Sequence, residues 1–397
     1  MIKRYLNKIF LIFILALPFS WANMGSMSIY RLVTILTFAI WIIVNRFKIP
    51  IPNDTRKKYF FSWIAYVGYS VFITAFILSN ANITFGMLLL IIISLIFFST
   101  RINSNFEKYI DSMWLSATIF FIILFIFGSR GLVGEWGTRE SIVILGTATD
   151  ANEFSSFFIV ALPIALFHLI KDKNVIKKCL FGLLLISGIY VVLMAGSRAA
   201  LLAVIMALII TIFTIQKPSV HLVMVIVLLS LLFIIIIPKY ILPMIPKQTI
   251  ARLSLEALQQ DKGSGRSDIW KAAINLFIEG NPINLLIGYG YGNLKVQSPT
   301  GLTSTMHNQY IQQLISYGVI GFILYIRMII LAYHLLQRNC RRYVGAYIGL
   351  LFMAMTISMG PSYKILWILL FMIGIKRNTK GGDINDSYFN DSRYRRR

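Results

Sequence analysis

The chain has 397 residues, 57% hydrophobic and only 13% charged, with a mean hydropathy of +0.75. A soluble protein of this length has no way to cover so much apolar surface, so a soluble globular fold is excluded and an all-α polytopic membrane protein is expected. The net charge of +23 would suggest nucleic acid in a soluble protein, but in a membrane protein lysines and arginines collect in cytoplasmic loops, and no nucleic-acid partner is expected.

Taken in chain order, apolar stretches predict about twelve transmembrane helices: 9–22, 29–45, 59–78, 82–100, 109–128, 152–170, 179–195, 198–215, 219–237, 309–334, 343–359 and 364–375. The first follows Lys3, Arg4 and Lys8 and resembles a signal peptide; in a polytopic chain it is read as an uncleaved helix. Of the 38 Lys and Arg, 25 fall on one side of this layout, while the short loops 23–28 and 79–81 on the other side carry none. That asymmetry places both termini in the cytoplasm. Cys179 and Cys340 then lie near the reducing face, and no disulfide is expected.

The layout divides the chain into N-terminal membrane helices (1–128), helices carrying outward motifs (129–237), a large extracytoplasmic loop (238–308), C-terminal helices (309–375) and a basic cytoplasmic tail (376–397). The large loop is expected to contain short amphipathic helices. One is read in "GSGRSDIWKAAINLFIEGNP", capped by Ser267 or Asp268, apolar along Ile269, Trp270, Ala273, Ile274, Phe277 and Ile278, and ended by Asn281-Pro282. "GYGYGN" (288–293) lacks the strand–helix context of a nucleotide-binding loop and is read as a tight turn that exposes backbone.

Several polar residues gather at outward helix ends. In "MAGSRAALLA", Gly196 and Ser197 break and cap the chain, so Arg198 begins a helix. There, free N–H groups, the helix dipole and a guanidinium all favour an anion; snorkelling to lipid headgroups is the plainer alternative. Arg266 sits at a second such helix start, or is simply a solvated loop arginine. His307 is the only one of four histidines placed outside, and a neutral imidazole there can take a proton. Asp150, Asn152 and Glu153 gather at a third helix N-terminus, where ordinary capping explains most of the pattern. No His/Cys/Asp cluster has metal-ligand spacing, and neither metal nor cofactor is expected. Two or three outward cations beside one candidate base suit a lipid-linked pyrophosphate donor and the deprotonation of an incoming hydroxyl.

At this point the sequence resembles the polytopic O-antigen ligase and polymerase superfamily (Wzy/WaaL-like). The resemblance rests on "MAGSRAALLA", "GRSDIW…EGNPINLLIGYGYGN" and "HNQYIQQLISYGVIGFILY", supported by "DANEFSSFFIVALPIAL", in the family's order between about residues 150 and 335. It implies a metal-independent glycosyltransferase using undecaprenyl-pyrophosphate-linked oligosaccharide at the outer membrane face, among membrane lipids and with a chain-length regulator as a further partner. It also implies that Arg198 and Arg266 bind the pyrophosphate and His307 activates the acceptor, with Ser197, Asp150, Asn152 and Asn308 in support. Where the family commonly has proline before the asparagine of a "DPN"-like stretch, this chain has Ala151. The motifs are shared by polymerases and ligases; polymerisation of O-antigen or capsular repeat units is preferred on the frequency of that activity. A ligase transferring glycan to lipid A-core is the alternative. A metal-dependent multi-span glycosyltransferase is disfavoured because the first outer loop, "ANMGSMS", has no carboxylate. A transporter is disfavoured because the clear intramembrane charges, Arg31 and Arg327, are able to snorkel.

Overall fold

In hydrocarbon a long apolar run satisfies its own backbone only as a helix, and helices dominate the computed structural model. It describes residues 10–20, 23–24, 27–45, 51–78, 81–102, 104–133, 139–144, 146–215, 266–291, 296–297, 303–304, 306–360 and 363–377. The described helices are α1 (Leu11–Ala16), α2 (Ile29–Asn45), α3 (Lys57–Leu78), α4 (Ala81–Ser99), α5 (Ser104–Phe127), α6 (Ala151–Lys171), α7 (Val175–Met194), α8 (Arg198–Ile215), α9 (Arg266–Ile278), α10 (Pro282–Ile287), α11 (Gln309–Asn339), α12 (Val344–Met353) and α13 (Lys364–Ile373).

Six of them, α3, α5, α6, α7, α8 and α11, are long and apolar enough to cross a membrane. The protein is a multi-pass membrane protein. These six match the expected spans 59–78, 109–128, 152–170, 179–195, 198–215 and 309–334. The expected spans 29–45, 82–100 and 364–375 correspond to shorter apolar helices over Ile29–Val44, Phe85–Ser99 and Lys364–Ile373. Within 9–22 the described helix is only Leu11–Ala16 with a 3-10 turn after it. The stretch 343–359 is α-helical over Val344–Met353 alone, because the carbonyl of Ala354 is taken by the Gln309 amide (2.8 Å) instead of continuing the helix. The expected span 219–237, the loop before Arg266 and the tail beyond Arg377 lie outside the described residues.

The chain folds into two compact units. One comprises Met1–Ala117, Ser267–Arg341 and Ala354–Arg397; the other comprises Thr118–Arg266 and Arg342–Met353. In the first, α3 packs between α4 and α11, and α13 lies against both α4 and α11. Its interior is aromatic: Trp63 is fully buried, edge-on to Phe371 at 5.0 Å, and the Tyr59 hydroxyl donates to the Leu370 carbonyl at 2.9 Å.

One end of this unit is tied by ions. Arg56, 6% exposed, donates through Nε to Asp54 (2.8 Å) and through one guanidinium nitrogen to the carbonyls of Phe98 (3.1 Å) and Gly374 (2.7 Å). It thereby joins the start of α3 to the ends of α4 and α13. Beside it, the strand Arg101–Ile102 pairs in parallel with Lys376–Arg377, and Arg377 Nε donates to Glu107 at 2.7 Å with both side chains buried.

The second unit packs α6, α7, α8 and α12 together. Gly349 of α12 allows this closeness: a Cβ there would collide with Ile159 of α6 and with Ala207 and Ala203 of α8. Phe121 meets Phe154 and Phe157 of α6 edge-on, and Phe125 stacks on Phe154. A three-stranded antiparallel sheet leads into α6, with the strand Arg139–Ile144 pairing both Arg130–Val133 and Thr147–Ala148.

Candidate functional site

The expected residues fall into two neighbourhoods, one at the starts of α6 and α8 and one at the starts of α9 and α11. In the second unit, α7 ends at Met194, and Gly196 turns the chain with φ 64, a left-handed conformation that glycine adopts without strain. Ser197 then caps α8: its hydroxyl oxygen accepts from the Ala200 amide at 3.3 Å, and Arg198 is the first helical residue. The Ser197 hydroxyl proton goes elsewhere, to Oδ1 of Asn152 at 2.8 Å. Asn152 lies in the first turn of α6, whose N-cap is Asp150; that carboxylate accepts from the Asn152 and Glu153 amides at 2.9 and 3.0 Å. One hydrogen bond thus couples the N-termini of α6 and α8, two positive dipole ends, beside a half-buried guanidinium. The capping roles expected for Asp150 and Ser197 are present. The link between Asn152 and Ser197, 45 residues apart, carries no signature in sequence.

Arg266, Asn308 and His307 belong to the other neighbourhood. α9 begins at Arg266, so Ser267 and Asp268 occupy its first turn and do not precede it; this corrects the expected cap. Its buried face is Ile269, Ala273 and Phe277, spaced four apart, while Ile274 and Ile278 are exposed. These three pack with Met306 and Ile315, and Trp270 Nε1 donates to the Met306 carbonyl at 2.9 Å. The helix that starts with Arg266 is therefore fastened to the segment that carries His307. Asn281-Pro282 does not end α9 but opens α10, with Asn281 as N-cap and proline at the first turn.

His307 has φ 46, and among the described residues it alone combines positive φ with a side chain. A non-glycine residue in the left-handed region costs roughly 1–2 kcal/mol, and such strain concentrates at functional positions. Asn308 follows as N-cap of α11, accepting from the Tyr310 and Ile311 amides at 2.9 and 3.1 Å.

α11 itself is broken. Gly318 has φ 63 and ψ −171, leaving a nine-residue half-helix, 309–317, before the 21 residues 319–339. A Cβ at Gly318 would strike the backbone of Leu286 and Ile287. The break deprives the Ile315 and Ser316 carbonyls of helical partners, and the tight turn read in "GYGYGN" replaces them. Tyr289 N donates to Ile315 O at 3.0 Å, and Gly290 N to Ser316 O at 2.8 Å. Gly288 and Gly290 sit at φ 83 and 80 to make this approach.

Over residues 182–326 the sequence matches a family model, Wzy_C, described as O-antigen ligase. Within that stretch the chain is similar to the O-antigen ligase family. The matched stretch contains Arg198, Arg266 and His307, together with Ser197 and Asn308, whereas Asp150 and Asn152 precede it. No curated protein matches the chain.

The matched stretch also contains polar residues to which the motifs do not point. Gln309, Gln312, Gln313 and Ser316 are all buried in the half-helix of α11, and three glutamines within five residues of an apolar stretch were the available signal. Among the described residues, no three His, Cys, Asp or Glu side chains come together as metal ligands. Neither Cys179 nor Cys340 forms a disulfide.

Proposed function

We propose that the protein transfers a glycan from a polyprenyl-pyrophosphate carrier to a sugar hydroxyl, and that it polymerises O-antigen or capsular repeat units. The observation that carries this reading is the Asn152–Ser197 hydrogen bond, which couples two helix N-termini beside Arg198. That arrangement suits an anion of high charge density. It stands in a chain similar over residues 182–326 to the O-antigen ligase family, whose members act on lipid-linked oligosaccharides.

In the proposed reaction His307 takes the proton of the acceptor hydroxyl as its oxygen attacks the donor's anomeric carbon. The bond from that carbon to the pyrophosphate oxygen breaks, and the electron pair leaves on the pyrophosphate. Arg198 and Arg266 stabilise the departing anion, as preorganised cations do best where solvent is excluded. Asp150, Asn152, Ser197 and Asn308 serve as positioning residues, holding the helix ends on which the functional groups stand. The donor is undecaprenyl-pyrophosphate-linked oligosaccharide at the outer face of the bacterial cytoplasmic membrane. Both termini face the cytoplasm, and a chain-length regulator acts as partner.

Ligation of glycan to lipid A-core is the second reading, favoured by the description of the matched family. Deleting the gene separates the two. Single repeats at the surface support the polymerase, and full-length polymer left on the carrier lipid supports the ligase. Complementation with Arg198→Ala, Arg266→Ala or His307→Ala, each verified in the membrane, should fail. Normal glycan from all three would overturn these assignments.

A further inference from the structure

The sequence places α10 in an extracytoplasmic loop, but its contacts lie along the length of a membrane helix. Ile287, at the end of α10, packs with Ile73 of α3 and Tyr317 of α11. The Tyr69 hydroxyl of α3 lies 3.2 Å from the Tyr317 carbonyl and 3.5 Å from the Ile287 carbonyl. All of these residues belong to the first unit. α3 has 22 residues and is apolar enough to cross the membrane; it is about 33 Å long, against a hydrocarbon core of about 30 Å. The exposed Lys57 and Lys58 mark one of its ends. From Lys57 to Tyr69 is about 18 Å of helix, and from Tyr69 to Leu78 about 14 Å. α10 therefore meets α3 within the thickness of the bilayer, not beyond its end.

Hydrocarbon admits such a segment only where its backbone groups are bonded within the protein. Asn281 caps α10, accepting from Ile283 N at 2.9 Å, and the Gly288 amide closes the helix on Asn284 O at 2.8 Å. The glycine turn then gives its Tyr289 and Gly290 amides to the broken middle of α11, and Gly288 and Gly290 are themselves buried. The side chains that α10 leaves uncovered are apolar: Ile283 is 61% exposed and Leu286 54%.

That surface runs into the lipid-facing surface of two membrane helices. Val319 and Ile320 follow directly on Gly318, the residue against which the Leu286 backbone packs, and with Ile323 they are exposed on α11. On α3, Phe72 and Phe76 lie beyond Tyr69, exposed and stacked on each other. α9 leads into α10 with a divided outer face. Ile274 and Ile278 form an apolar shoulder, whereas Lys271, Asn275 and Glu279, also four apart, form a polar edge. Such a division suits a helix lying at the boundary between lipid and water.

We infer that residues 281–290, α10 and the glycine turn, form a re-entrant segment that enters the bilayer from the side of His307 and presents Ile283 and Leu286 to lipid acyl chains. Lipid is the occupant because the surface is continuous with the lipid-facing residues of α3 and α11. The inference goes beyond the transferase reading and does not depend on it. Its consequence is positional. α9 joins this segment and holds the Met306 carbonyl through Trp270, so contact with the bilayer sets the height of the turn that carries His307.

The test uses the full-length protein in phosphatidylcholine nanodiscs, one copy per disc, on a Cys179→Ser background in which the remaining Cys340 is buried. A fluorophore is attached at Ile283→Cys or Leu286→Cys, with Ile323→Cys as the membrane reference and Lys271→Cys as the water reference. The probes are phosphatidylcholine spin-labelled in mid-chain and aqueous iodide. Labels at 283 and 286 should be quenched by the spin-labelled lipid about as strongly as the label at 323 and be shielded from iodide, and the label at 271 should show the reverse. Quenching at 283 and 286 by iodide, with no more lipid quenching than at 271, overturns the inference. So does protection from both probes, which means that protein covers the surface, and protection that appears only with two copies per disc, which marks a face between copies. A second variant keeps the test independent of labelling. Ile283 lies in the first turn of α10, where water would tolerate an aspartate. In lipid, Ile283→Asp should melt at least about 5 °C below wild type, while Lys271→Asp melts as wild type does. Wild-type melting of Ile283→Asp overturns the inference.

Discussion

Replacing Ser197 by alanine removes two interactions made by one oxygen. The hydroxyl accepts from Ala200 N as the cap of α8 and donates to Asn152 Oδ1. Loss of a serine N-cap costs about 1 kcal/mol. Loss of the hydrogen bond to Asn152 costs about 1 kcal/mol more, near the lower end of the range, because that half-buried acceptor regains some water. The expected destabilisation is therefore about 2 kcal/mol. Unfolding in mixed detergent micelles with increasing dodecyl sulfate, followed by circular dichroism, measures it. Asn152→Ala loses the same bond from the other side, so the double variant should fall short of additivity by about 1 kcal/mol. A loss below about 0.5 kcal/mol for Ser197→Ala, or additivity within about 0.3 kcal/mol, would refute the coupling of the two helix ends.

Gly318→Ala forces a side chain into a left-handed position and against the backbone of Leu286 and Ile287. The combined cost of about 3 kcal/mol or more should appear as a lower melting temperature and reduced membrane accumulation, and wild-type melting would contradict the broken helix. Trp270→Phe keeps the ring but strands the Met306 carbonyl; about 1 kcal/mol of stability should be lost. Transfer should fall further than that loss explains, because the turn carrying His307 is released. Burial opposes ionisation of Asp54, but the Arg56 hydrogen bonds and charge, aided by Lys376, outweigh it and hold the carboxyl below its ordinary 3.8. A depressed folded pKa contributes stability that is complete above the unfolded value and disappears as pH falls through the folded one. Asp54→Asn should therefore be less stable than wild type at pH 7, and the difference should shrink as pH falls below about 4. A pH-independent difference in micelle unfolding would contradict this.

What was legible in sequence was local. Gly-Ser before an arginine specifies a helix break and a cap, and Asp150 two residues before Asn152 specifies another, because capping depends on residues three or four apart. The glycine turn at 288–290 was equally readable. Hydropathy averages could not show the interruption at Gly318, since a window of apolar residues is blind to φ and the glycine's reason lies in Leu286, far back along the chain. The same holds for the buried glutamines, whose Tyr66 partner is 247 residues from Gln313. The start of α9 was misplaced by a residue or two because arginine, serine and aspartate all tolerate a first turn. Asn281-Pro282 was read as a stop when its chemistry, a cap followed by proline, is that of a start.

The chain passes between its two units four times, at residues 117, 266, 341 and 353, and this interleaving bears on how the protein is made. α12, only ten residues long, belongs to the second unit but is synthesised after most of the first. The strand at Arg101–Ile102 meets its partner only when Lys376–Arg377 emerges. Neither unit is then complete until nearly the whole chain has left the ribosome, so the early helices must wait in the lipid with apolar and polar seams unpaired. Any single cut therefore separates segments of the first unit, which lie at both ends of the chain.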